Sequence, residues 1–299
     1  MVYKIYEDEV LKMEEKLKYS DFNAFESILN DYEAKISDLR QKDYLKEEFI
    51  LNISHDLRTH LNVVLSIMQL LKNKEYYTNN NENKWNEYSN SIKKSCYKML
   101  KLINNLIDVT KLENNYFICN KENLEIVSFL ENIVTSVDKY AKDKNISLIF
   151  DTNEEECIIG VDPEVIDRIV MNLLSNAIKF SPKSSEILIT LDIDKNSVCI
   201  SVRDQGPGIP EQEKQLVFNR FHKVNKLLTS EYEGSGIGLN LVNNLVKTHK
   251  GSIDIINHKD GCEFVVKFPR EYCQECQTRK KISSNNKVEV LEIEFSDIY

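Results

Sequence analysis

One histidine in this chain stands among residues that can do chemistry with it. In Phe49-Ile50-Leu51-Asn52-Ile53-Ser54-His55-Asp56-Leu57-Arg58-Thr59-His60-Leu61-Asn62 and just beyond, apolar Ile50, Ile53, Leu57, Leu61, Val64, Met68 and Leu71 recur every three or four positions. That is the seam of an amphipathic helix. His55 lies two positions from both Ile53 and Leu57, so its imidazole points off the seam towards water. Asp56 is adjacent, and Arg58 and Thr59, three and four positions on, share its face. A histidine is mostly neutral at neutral pH, leaving one ring nitrogen free to attack. Asp56 can hold the tautomer or take the proton, Arg58 can meet incoming negative charge, and Thr59 can position a water. The set suits a phosphoacceptor histidine; the plain alternative is an exposed histidine on a solvated helix face.

Three stretches further on also carry chemistry. In the helical segment 164–180, Ile166, Ile169, Val170, Leu173 and Ala177 form the buried side, and Asn172, Asn176 and Lys179 line up on the other. Asn is less favourable than Ala in a helix by roughly 0.6 kcal/mol, so two of them mid-helix ask for a reason. Amide oxygens and an ammonium on one face suit Mg²⁺ and phosphates; a solvated face is the alternative. Asp204-Gln205-Gly206-Pro207-Gly208 directly follows a strand-like run. Pro207-Gly208 is the central pair of a type II turn. Gly206 and Gly208 also let the backbone approach a flat ligand while the Asp204 carboxylate accepts from an exocyclic amine. Last, Gly234-Ser235-Gly236-Ile237-Gly238 opens a helix, where backbone N–H groups favour phosphate. It lacks the Lys-Ser/Thr of a P-loop and follows a polar loop, not a strand, so neither a Walker motif nor a dinucleotide fingerprint fits.

These residues need two kinds of scaffold. A second periodic stretch, Trp85, Tyr88, Ile92, Cys96, Met99, Ile103, Leu106 and Val109 or Thr110, follows the polar loop 78–83. Two helices joined by a short loop make an antiparallel hairpin, and one hairpin cannot bury both seams. A second copy completes a dimeric four-helix bundle. From about residue 118 the pattern alternates. Helices are expected at 126–142, 164–180 and 239–250, with strands at 146–150, 186–193, 197–203, 252–257 and 263–268. This order gives a mixed sheet with helices on one side, an α+β sandwich. Residues 1–48 are charged and helix-prone, with a break at Tyr19-Ser20-Asp21, and are too few for a sensory domain.

Composition narrows the partners. A net charge of −9 with no basic cluster excludes nucleic acid and anionic membranes. No apolar run approaches the roughly 20 residues of a membrane helix, and Met1-Val2-Tyr3-Lys4-Ile5 does not open a signal peptide. Seven cysteines, an odd number scattered through the elements, read as reduced thiols of a cytoplasmic protein. Cys273 and Cys276 offer two thiols with no histidine nearby, too few for zinc.

Taken in order and spacing, the His55 stretch, the Asn172 helix, Asp204-x-Gly-x-Gly, Phe218-Asn219-Arg220-Phe221 and the Gly234 loop resemble the transmitter core of sensor histidine kinases. The resemblance covers about residues 45–270. It implies a helical lead-in or coiled coil (1–44), a dimerisation and histidine phosphotransfer hairpin (45–115), an ATP-binding catalytic domain of the gyrase and Hsp90-like type (116–272) and a C-terminal tail (273–299). It implies an ATP-dependent protein histidine kinase that autophosphorylates on His55 and passes the group to an aspartate of a response-regulator receiver domain. Asp56 would act as base or orienter, and Thr59 would assist phosphatase chemistry. Asn172 and Asn176 would hold Mg²⁺ and phosphates, Lys179 would contact phosphate, and Asp204 would read the adenine amine. Residues 218–234 would form the lid over ATP with Lys223 on the γ-phosphate, and Gly234, Gly236 and Gly238 would close over the phosphates.

The sequence departs from the family at two points. Asp56 replaces the usual Glu, keeping the charge on a shorter stem, and His60 stands where the family has Pro. The tail lies outside the resemblance and ends in a strand-like run, Lys287 to Phe295. An alternative is a degenerate kinase serving as an ATP-binding scaffold or receiver phosphatase. An ATPase clamp of the gyrase kind leaves His55 without a role.

Overall fold

The computed structural model describes residues 47–72, 82–114, 116–220, 222, 236–273 and 285–298, with a few helical positions between 32 and 44. The chain divides into two units, Met1–Ser54 and His55–Tyr299. In the first, the described residues are helical, and Phe49 and Ile53 are buried. The Ser20 break lies outside the described residues.

The second unit opens with helix α1 (residues 55–72), followed by α2 (Glu82–Glu113). Of the expected α1 seam, Leu57, Val64 and Leu71 are half-buried, while Leu61 and Met68 are exposed. The covered stripe of α2 is Ser95, Leu102, Asn105 and Val109, at helical spacing, and of these Val109 alone belongs to the expected line. Ile103 of that line is exposed, as are Leu100 and Ile107. The reason is tertiary. α2 packs against α5 and α6, and the Arg168 guanidinium donates to the Asn105 amide oxygen at 3.0 Å, so a partly polar stripe is covered and an apolar one left open.

A five-stranded sheet, ordered β2-β4-β5-β7-β6, carries the rest. Its strands are β2 (Ser147–Thr152), β4 (Glu186–Ile193), β5 (Ser197–Arg203), β6 (Ser252–His258) and β7 (Gly261–Pro269). Only β2 and β4 run parallel; the other pairs are antiparallel. Alternate residues Ile187, Ile189 and Leu191 of β4, Val198, Ile200 and Val202 of β5, and Val266 and Phe268 of β7 are buried. Over that face lie α3 (Ile126–Lys142), α4 (Pro163–Phe180) and α5 (Gly238–Thr248), as expected of an α+β sandwich. Leu130, Ile133 and Val137 of α3, Ile166, Ile169, Leu173 and Ala177 of α4, and Leu241, Leu245 and Val246 of α5 meet it at helical spacing.

Local chemistry sets the helix starts. The Glu125 carboxylate accepts from the Val127 and Ser128 backbone N–H groups at 3.1 and 2.7 Å, and Asp162 accepts from that of Glu164 at 3.0 Å, with Pro163 preset for the first turn. A two-stranded antiparallel ribbon, β1 (Glu122–Glu125) with β3 (Ile158–Val161), was not expected. The tail is corrected: 285–294 is a helix, α6, not a strand. Leu291, Ile293 and Phe295 alternate with Glu292 and Glu294 in a strand-like way, but Leu291, Glu294 and Phe295 are the buried set, three and four apart.

Candidate functional site

His55 stands on α1 with its side chain 78% exposed. Asp56 Oδ1 lies 3.7 Å from Nδ1, too far for a hydrogen bond but on that nitrogen's side of the ring. This position favours a proton on Nδ1 and leaves the Nε2 lone pair outward. The Thr59 hydroxyl donates to the His55 carbonyl at 3.0 Å, one turn back, so its oxygen keeps acceptor capacity towards solvent. Residue 60 is helical and half-buried, and the helix continues through it to 72.

The second cluster is buried. Asn172 and Lys179 are 4% and 5% exposed, so these two do not lie on a solvated face of α4; Asn176 is half-buried. Two neighbours cover that side. The Gly238 backbone comes so close that a Cβ there would overlap the Asn172 amide oxygen, and α6 packs along the next arc of α4. The Asn172 Nδ2 donates to the Arg168 carbonyl at 3.3 Å, which fixes the amide with Oδ1 towards the start of α5. Gly236 has φ +68°, a left-handed turn immediately before that helix. The Asn helix and the last two glycines are thus brought together; Lys223 and Gly234 lie outside the described residues.

Asp204, at the end of β5, is 4% exposed. Its Oδ1 accepts from the Gly206 N–H at 2.8 Å and its Oδ2 from the Cys262 thiol at 3.3 Å. Burial raises the Asp204 pKa, while the Gly206 and Cys262 contacts work the other way. Burial and the neighbouring carboxylate push the Cys262 thiol pKa far up, so it stays protonated and donates. Gly206 has no room for a Cβ, which would come 2.9 Å from Asp204 Oδ1 and 3.1 Å from the Phe180 carbonyl. Gly208 has φ +72°, as the second central position of a type II turn requires. Sequence reasoning missed Gly261 and Cys262. At φ +136°, Gly261 lets β7 pass against the Asp204 backbone, where a Cβ would collide. Beyond Gly206 the Phe218 carbonyl accepts from Asn240 Nδ2 at 2.8 Å, tying the start of the expected lid to α5.

A cleft of about 760 Å³ separates α2 from the sheet domain, lined by Asn104, Asp108, Lys111, Asp162, Arg168 and Leu245. It holds none of the expected nucleotide residues and is the junction between two bodies. Ion pairs span that junction, Arg168 to Asp108 at 2.9 Å and Arg220 to Glu113.

Two family matches coincide with this division. Residues 45–115 match the His Kinase A (phospho-acceptor) domain, and residues 161–272 the histidine kinase-, DNA gyrase B-, and HSP90-like ATPase. The chain carries the transmitter core of a sensor histidine kinase. This transmitter core is 31% identical over 297 residues to histidine kinase P4 of Formosa agariphila, covering 96% of this chain and 21% of that protein. It is 27% identical over 220 residues to sensor histidine kinase WalK of Bacillus subtilis, covering 73% and 35%. The chain therefore spans about a fifth to a third of the length of these relatives. Among solved structures, histidine kinase ThkA in complex with response regulator protein TrrA shares the fold, with TM-score 0.59 and 20% identity, over 77% of this chain and 64% of that one.

Proposed function

We propose that this chain is an ATP-dependent protein histidine kinase that phosphorylates itself on His55 and passes the group to an aspartate of a response-regulator receiver domain. One observation carries the reading. An exposed imidazole with Asp56 on its Nδ1 side stands in the same chain as a buried Asn, Lys and Asp–Gly cluster of a kind that suits Mg²⁺, phosphates and adenine. ATP binding accords with the ATPase family match, and the receiver with the complex of ThkA.

The residues present fit the nucleotide. Gly206 and Gly238, where a Cβ would collide, let the backbone lie directly against Asp204 and Asn172, and Asp204 offers a buried carboxylate acceptor. Asp204 would read the adenine amine across the Gly206–Gly208 turn. Asn172 and Asn176 would hold Mg²⁺ through amide oxygens, and Lys179, Gly236 and Gly238 would receive phosphate oxygens, with Lys223 and Gly234 assigned to the lid. Bound Mg²⁺ supplies charge neutralisation on the transferring phosphoryl group. His55 Nε2 would attack the γ-phosphorus and ADP would leave as the bond to the β–γ bridging oxygen breaks, while Asp56 stabilises the positive ring that results and accepts its Nδ1 proton. Thr59 would position a water that hydrolyses the receiver's aspartyl phosphate to carboxylate and inorganic phosphate.

We also assign residues 45–115 to the dimerisation hairpin, 116–272 to the catalytic domain, 1–44 to a helical lead-in and 273–299 to a tail. Exposed Leu61, Leu65 and Met68 of α1 and Ile103 and Ile107 of α2 support a homodimer, since a second copy would cover them. Among the described residues no helix is long and apolar enough to cross a membrane, and Cys96, Cys119, Cys157, Cys199 and Cys262 are free thiols. Both accord with work at the cytoplasmic ATP pool. The test is incubation with γ-labelled ATP and Mg²⁺. The expected label is acid-labile and base-stable, as a phosphoramidate is; an acid-stable label would refute the assignment.

A further inference from the structure

α6 lies beyond both matched family ranges, yet it is fastened to two bodies at once. On the α2 side, Lys93 Nζ meets Glu292 Oε2 at 2.8 Å and the Tyr97 hydroxyl donates to the same carboxylate oxygen at 2.8 Å. Lys101 Nζ donates to the Glu294 carbonyl at 2.5 Å and to Asp297 Oδ2 at 3.1 Å. Lys93, Tyr97 and Lys101 are four apart and form one stripe of α2. On the side of the sheet domain, the fully buried Phe295 stacks on Tyr140 of α3, ring centroids 4.7 Å apart. The Ser175 hydroxyl of α4 donates to the Glu294 carbonyl at 3.3 Å.

The Glu294 carboxylate is the centre of this clasp. It is 2% exposed, with Lys101 Nζ 3.6 Å from one oxygen and Arg168 Nη1 3.7 Å from the other. A cation of the hairpin and a cation of the ATP-binding domain thus share one buried charge. Burial pulls the Lys101 pKa down, but the Glu294 and Asp297 carboxylates outweigh it and hold it raised. Burial raises the Asp297 pKa, but Lys101 and then Lys179 outweigh it and hold it lowered. Lys179, the expected phosphate contact, therefore already feels a carboxylate of the tail. On α4, residues 168, 175 and 179 fall within about 40° of one another, and Asn172 and Asn176 occupy the adjoining arc. α6 runs beside the nucleotide face.

We propose that α6 is an intramolecular strap that holds the ATP-binding domain against α2 and restrains transfer to His55. This rests on the kinase reading above. Transfer requires the γ-phosphorus within about 3–3.5 Å of the attacking nitrogen, whereas the His55 side chain is 78% exposed. The ATP-binding domain must move to reach it, and the strap spans the joint that moves. Releasing one partner of a buried charge cluster leaves the others unpaired, which gives the clasp an all-or-none character.

The test compares the full chain with Lys101→Glu and with a chain ending at residue 284. Lys101 belongs to α2, so its replacement leaves the core of the ATP-binding domain intact. Three quantities are read: the initial rate of acid-labile labelling, the affinity for a fluorescent ATP analogue, and hydrogen exchange of α6 in Lys101→Glu. The expected result is faster exchange of α6, severalfold faster labelling in both variants, and little change in affinity. Labelling that is unchanged or slower in Lys101→Glu, with α6 released and affinity kept, overturns the strap. If the truncated chain loses nucleotide binding, Lys101→Glu alone decides. Absence of acid-labile label from every form, with nucleotide bound, overturns the kinase reading instead.

Discussion

The acceptor helix and the nucleotide cluster are built on opposite principles. His55 is mostly exposed, and the contacts around it are local: Asp56 next to its ring and the Thr59 hydroxyl on its own carbonyl. Asp204, Asn172 and Lys179 are nearly inaccessible and fixed by residues far away in the chain, Cys262 on Asp204 and Gly238 against Asn172. A group that must accept phosphate from one domain and surrender it to another protein has to be reachable from outside. A pocket that must hold a charged nucleotide gains from donors and acceptors set in advance. Substitutions in the first region should therefore change rates and leave ATP affinity alone, and those in the second should do the reverse.

The largest effect on affinity is expected from Asp204→Asn. One oxygen that now accepts from Gly206 or Cys262 becomes a donor, and the acceptor proposed for the adenine amine is lost. ATP affinity should fall by about ten- to a hundredfold, roughly 1.5–3 kcal/mol; calorimetric titration with ATP measures it. Asn176→Asp adds a negative charge where phosphates are to sit, and Mg·ATP affinity should fall by about tenfold. An affinity equal to the parent's in both variants would remove the pocket assignment.

On the acceptor side the effects are smaller. His60→Pro restores the family residue, removes a backbone donor one turn past His55 and costs about 3 kcal/mol of local helix. α1 should bend, and autophosphorylation and receiver dephosphorylation rates should both shift while ATP affinity stays put. Affinity moving with both rates fixed would contradict this. Thr59→Ala is the mildest. The residue is exposed, so stability should change by no more than about 0.5 kcal/mol. Receiver dephosphorylation should slow with autophosphorylation unchanged; equal slowing of both would deny Thr59 its separate role.

Much of this division was legible in the sequence because it rests on local rules. Asp162-Pro163 and the apolar spacing to Ala177 specify α4 directly, and the alternation of Val198, Ile200 and Val202 specifies β5. The burial of Asn172 and Lys179 was not legible, because it depends on Gly238 and on α6, both distant in sequence. Gly261 and Cys262 gave no signal of their own; they matter because β7 pairs with β5 and runs past Asp204. The run Glu122–Glu125 has no alternating apolar pattern and is a strand because β3 pairs with it. In the tail, the alternation of Leu291, Ile293 and Phe295 with Glu292 and Glu294 outweighed the helical spacing of Leu291, Glu294 and Phe295 until there was a surface for the helix to pack on. The covered stripe of α2 failed for the same reason, being chosen by its neighbours.

The central claim is that acceptor and donor sites are separate, and His55→Gln tests it most directly. The variant and its parent are incubated with γ-labelled ATP and Mg²⁺ while ATP affinity is measured in parallel. The account predicts complete loss of the acid-labile label with affinity equal to the parent's. Acid-labile label persisting in His55→Gln at the parent's level would contradict it.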